Sequence, residues 1–130
     1  MQRHVIPRNQ WREELDSFSR SHEGWIVRVE VTEPSGRSHV EAGDVPLQGV
    51  TADFGSTPTI AVMVGDLQDT YLTHQVANPK LLEFEQTEAG GISALVVHSG
   101  DGTKTVVEFR SPMRPEDVDG LRFRKSEVRS

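Results

Sequence analysis

The chain has no cysteine, and that one absence removes disulfide frameworks, thiolate metal sites and cysteine nucleophiles together. It also suits a reducing compartment. No apolar run approaches the roughly 20 residues that a membrane-spanning helix requires. The opening MQRHVIP lacks the apolar stretch of a secretory signal. The expectation is a cytoplasmic protein without membrane contacts. Aromatic residues are sparse, with one tyrosine, two tryptophans and five phenylalanines. Where they fall in LEFEQ and VEF they alternate with acids, which gives no platform for stacked bases. Basic residues are outnumbered 14 to 20, and a net charge of −6 repels phosphate backbones. These two features argue against a nucleic-acid partner.

Catalytic signatures are missing as well. There is no HExxH and no GxSxG, and Ser99 beside His98 does not make a triad. The glycines at Gly90-Gly91 and at Gly100 and Gly102 lie between strand-like segments. A phosphate cradle needs them at a strand-to-helix junction, where helix N-terminal amides converge.

What the chain does have is a change of period. At 130 residues it is one domain by length. Trp11, Leu15 and Phe18 recur at helical spacing after Pro7, while Glu13, Glu14 and Asp16 fall off that stripe, so a helix is expected over residues 8–21, stopped by Gly24. In WIVRVEV the period drops to two, with Trp25, Val27, Val29 and Val31 on one face. Pro34-Ser35-Gly36 then turns the chain into an antiparallel return over residues 38–42. VPLQGV, residues 45–50, carries Pro and Gly and is expected at an edge, a bulge or a loop. TIAVMV, residues 59–64, is expected as a central strand buried on both faces. A meander follows over residues 71–76, 80–86, 92–99 and 103–109, with hairpin glycines between its last three strands.

The fold class is therefore mainly β (α+β), a curled antiparallel sheet or partial barrel of seven to eight short strands with one N-terminal helix packed on it. Residues 1–110 form that domain, and 111–130 form a polar, partly flexible tail. Trp11, Phe18, Trp25, Phe84 and Phe109 are its expected structural aromatics, with the two tryptophans closing the helix onto the sheet.

Candidate functional residues are few. The histidines at 4, 22, 39, 74 and 98 show no two-ligand spacing on a helix or a strand. His74 shares its phase with Leu72 and Val76, and His98 with Ile92, Ala94 and Val96, so both are expected to face inward. There they would serve as hydrogen-bonded structural groups or assemble a ligand or metal site. Glu83 and Glu85 fall on the polar phase of their strand and read as solvated. Pro46 and Leu47, on the blunted edge, are candidates for surface interaction and for a homodimer. Arg122 and Arg124, in a tail segment with four basic residues against one acid, could meet an acidic partner.

Ile6-Pro7-x-x-x-Trp11 with Phe18 and Gly24, Pro46-Leu47-x-Gly49-Val50, His74-x-Val76-x-x-Pro79, and Asp101-Gly102 followed by Val107-x-Phe109 are together similar to a bacterial family of small stand-alone domains of unknown function. The resemblance spans residues 6–109. It implies a single compact domain and carries over no activity, cofactor or catalytic residue. The expected function is a non-enzymatic binding or interaction module for a protein or small molecule, without a cofactor. The alternative is a metal-dependent or general-base enzyme, or a ligand-binding protein, using His74 and His98.

Overall fold

The computed structural model describes residues 2–65 and 71–110. A short strand β1 (Gln2–Val5) leads through Pro7 into a 3₁₀ turn (Arg8–Gln10) and the helix α1 (Trp11–His22). Trp11, Leu15, Phe18 and His22 are its buried residues, one stripe along the helix. Glu13 and Glu14 in the first turn and Arg20 in the last suit the helix dipole. Gly24, at a φ of 89°, takes the left-handed conformation needed to leave the helix. Its N–H donates to the Leu47 carbonyl at 2.8 Å.

The remaining strands are β2 (Ile26–Thr32), β3 (Ser38–Phe54), β4 (Pro58–Gly65), β5 (Tyr71–Ala77), β6 (Pro79–Gln86), β7 (Ile92–Ser99) and β8 (Lys104–Phe109). They form one open antiparallel sheet of eight strands, ordered β1-β6-β7-β8-β2-β3-β4-β5. Strand β3 is the corner. Its first half, residues 38–46, pairs with β2, and its second half, from Leu47 onward, pairs with β4. Register shifts in β2–β3 and at Leu47/Gly49 bend it so that the sheet curls around α1. Asn78 fastens the curl. It is the single residue between β5 and β6, at a φ of 52°. Its N–H donates to the Pro58 carbonyl and its carbonyl accepts from the Gly100 N–H.

Residues 45–50, expected at an edge, a bulge or a loop, lie inside the 17-residue strand β3 with a register shift at Leu47/Gly49, so the bulge is what forms. Pro46 lies opposite Ile26 at the corner, and Leu47 is fully buried, its N–H bonded to the Trp25 carbonyl at 2.8 Å. Leu47 therefore offers no surface. The bulges absorb the Pro and Gly without ending the strand. Residues 59–64 do lie inside the sheet, but only Ile60, Val62 and Val64 are buried, while Thr59, Ala61 and Met63 are half-covered. The tail at 111–130, with Arg122 and Arg124, lies outside the described residues.

The inner face carries the core. Phe18 stacks on Phe84 at 5.2 Å and His22 at 4.6 Å, and the Trp25 ring meets Phe109 edge-on at 4.9 Å. His22 is part of this cluster. Its Nδ1–H donates to the Phe18 carbonyl at 2.8 Å. Burial pushes its pKa below the ordinary 6.5, opposed in part by that hydrogen bond. The unfolded chain therefore takes up this proton first as pH falls through 6.5, so the His22 contribution is complete above that pH and is lost below it. Urea midpoints of the wild type are expected to drop between pH 7.5 and pH 5.5 more steeply than those of His22→Phe. Parallel pH profiles would reject a neutral buried His22.

Candidate binding groove

Of the sequence candidates, His74 lies opposite Val62 with its side chain 19% exposed, on the core-facing phase. His98 shares its phase with Ala94 and Val96, which stand outside the core cluster, so it is on the outer face of the sheet. The expected inward orientation of His98 is therefore corrected: the core side chains of β7 are Leu95 and Val97. Each histidine has its own carboxylate. His74 Nδ1 is 4.0 Å from Glu41 Oε1, whose other oxygen is 2.8 Å from His39 Nε2. His98 Nε2 is 3.0 Å from Glu83 Oε1. The two histidines do not form one site, and among the described residues no cluster of three His, Cys, Asp or Glu is placed to hold a metal. Glu83, expected in solvent, is only 7% exposed because Val5 and Val96 flank it across the ladder. Glu85 reaches Arg3 at 3.4 Å. His4 is exposed on β1.

A concave surface among the described residues lies elsewhere, where the start of α1 faces the second half of β3. One hollow of about 460 Å³ is lined by Arg8, Asn9, Arg12 and Phe54. A second of similar volume continues from Arg12 past Asp16 and Ser19 to Thr51, Ala52 and Met63. Arg12 belongs to both, so the two run together as a groove. Two guanidinium groups rest on aromatic faces here. The Arg8 head lies 4.9 Å from the Trp11 ring and the Arg12 head 5.3 Å from the Phe54 ring, with the two rings 5.9 Å apart. Stacking fixes each guanidinium while leaving N–H edges free. Arg8 spends one N–H on the Pro79 carbonyl at 3.1 Å. Among the described residues neither Arg8 nor Arg12 has an ion pair, whereas Asp16 in the groove is already paired with Arg20.

With the groove and the strands located, comparison at the family level matches residues 2–118 to a family of unknown function, DUF5335. The chain belongs to DUF5335. No curated protein and no solved structure matches it. The match contains every element of the fold, from β1 through α1 to β8.

In this DUF5335 member the helix is tied to β3 by one side chain. Ser19 Oγ accepts the Val50 N–H at 2.8 Å and donates to the Val50 carbonyl at 3.0 Å, taking the place of a neighbouring strand. Ser19→Ala leaves both Val50 groups without a partner. It is expected to cost about 1–3 kcal/mol by urea melt. A change below about 0.5 kcal/mol would mean that water substitutes freely at this contact.

Sequence reasoning passed over Arg8 and Arg12, although their i, i+4 spacing puts both on one side of the helix start. It also missed Glu41, for which His39-Val40-Glu41, an i, i+2 pair on a strand, was the available signal.

Proposed function

We propose that this domain is a non-enzymatic binding module whose ligand presents a carboxylate to Arg8 and Arg12 and an apolar or planar part to Phe54. The observation carrying this reading is the pair of stacked guanidiniums without an ion pair among the described residues, which line a hollow of about 460 Å³ together with a half-buried Phe54. Guanidinium forks match planar oxyanions, and charge-assisted hydrogen bonds are the strong ones. A carboxylate is favoured over a phosphate because none of the described residues lining the hollow is a glycine that would offer a cradle of main-chain N–H groups. Cytoplasmic residence belongs to the same proposal, supported by the absence of cysteine. Among the described residues no helix is long and apolar enough to cross a membrane. The enzymatic alternative through His74 and His98 is less favoured, since His74 lies beside Glu41 and His98 beside Glu83.

Benzoate and the isosteric neutral benzamide test the proposal. Benzoate is expected to shift the Arg8, Arg12 and Phe54 NMR signals saturably, and benzamide is not. Arg12→Gln is expected to weaken benzoate about 10-fold to 100-fold, the loss of one charge-assisted bond of about 1.5–3 kcal/mol. Equal binding of the two compounds, or none by benzoate, would refute the carboxylate site.

A further inference from the structure

We infer that the natural ligand is an extended acidic peptide segment of another protein, which adds as a strand to a free edge of β3 at Ala52 and Phe54 and places a carboxylate between Arg8 and Arg12. This rests on the binding function proposed above and names its ligand.

The free edge is concealed by the strand order. Strand β3 has neighbours on both sides, yet β2 pairs only with residues 38–46, so beyond Leu47 one side of β3 faces the helix instead of a strand. The direction of the main-chain groups follows from Val50. Both its N–H and its carbonyl are bonded to Ser19 Oγ, so both point away from β4. The β3–β4 register runs without a shift from Gly49 to Phe54. In an antiparallel ladder alternate residues point the same way, so the N–H and C=O groups of Ala52 and Phe54 also point away from β4. A second observation agrees. Phe54 lies opposite Pro58, which has no N–H to give, and the Pro58 carbonyl is turned toward Asn78 on the β5 side. Ser19 satisfies Val50, and among the described residues nothing does so for Ala52, which lines the groove.

This arrangement matches strand addition, in which main-chain bonds supply affinity and side-chain pockets supply specificity. Ser19 closes the groove at Val50, so the open stretch of edge runs from Ala52 to Phe54, about 7 Å, which takes roughly three residues of extended chain. Charge selects the occupant. Arg8 and Arg12 form a cationic spot on a molecule of net charge −6, so an acidic segment is attracted there and a basic one gains nothing from the groove.

The test uses the full chain and two peptides, acetyl-Thr-Val-Glu-Val-Glu-Thr-amide and its counterpart with lysine for glutamate. In the free protein the Ala52 and Phe54 amides are expected to exchange rapidly with solvent while those of Thr51 and Asp53, which face β4, are protected. The acidic peptide should slow exchange at Ala52 and Phe54 at least tenfold, and the lysine peptide should not. Ala52→Pro removes an N–H that the fold does not use. It is expected to weaken the acidic peptide at least tenfold. If that variant does not fold, the exchange measurement on the wild type still decides. Protected Ala52 in the free monomer, equal binding of both peptides, or peptide binding that leaves Ala52 and Phe54 unaffected would overturn the inference. So would protection that rises with protein concentration, which would make a second copy the occupant, or protection that disappears on deleting residues 111–130, which would make it the chain's own tail. Benzoate binding with no peptide protection defeats the strand-addition claim alone. Failure of benzoate defeats the reading beneath it.

Discussion

Trp11→Ala is expected to destabilise the fold by about 3–5 kcal/mol, the usual range for emptying a buried aromatic site. The side chain is 1% exposed, its Nε1–H donates to the Ile6 carbonyl at 2.9 Å, and its ring packs 5.9 Å from Phe54. Alanine would leave a cavity between the helix start and β3, and it would leave the Ile6 carbonyl without its donor. The same change removes the surface on which Arg8 rests, so benzoate binding should weaken in any population that stays folded. A urea melt decides the first point. A loss under about 1 kcal/mol would mean that α1 lies on the sheet without filling it, and the account of the curl would fail with it.

Phe18→Ala should produce a loss of similar size, about 3–5 kcal/mol, for a different reason. Trp11 anchors the helix start, whereas Phe18 joins the helix to distant strands. Its ring lies 5.2 Å from Phe84 on β6, 5.9 Å from Phe109 on β8 and 4.6 Å from His22 one turn along. Phe18→Leu keeps most of the volume and is expected to cost less than about 1.5 kcal/mol, though it gives up the ring contacts. If leucine and alanine cost the same, stacking and not volume holds this region. If neither has an effect, the aromatic cluster is not what binds α1 to the sheet.

Much of the local structure was legible in the residues. The spacing of Trp11, Leu15 and Phe18 marked the buried stripe of α1, and the alternation in WIVRVEV marked the buried face at Val27, Val29 and Val31. Hydrophobic period and turn chemistry are properties of neighbours in sequence, so they survive without knowledge of the fold. For residues 45–50 the residues alone left an edge, a bulge or a loop open, because Pro46 and Gly49 signal a break in any chain that must stay flat. Here bulges turn the same residues into the corner of a continuous strand.

The candidate site was much less legible, because its parts are distant in sequence. His74 and His98 have similar apolar surroundings along the chain, yet register places one on the core-facing phase and the other outside it. The partner of each, Glu41 or Glu83, depends on which strands meet. Phe54 meets Arg12 only because β3 bends and α1 fills the curl. By itself, the sequence of this protein determined an antiparallel β domain with one amphipathic helix, a net charge of −6 and no thiol chemistry, since each follows from composition or from a period of two or 3.6. Only the tertiary structure decided which side of β3 is left without a strand and which two arginines stand beside it, because strand pairing and curl are set by contacts between residues far apart in the chain.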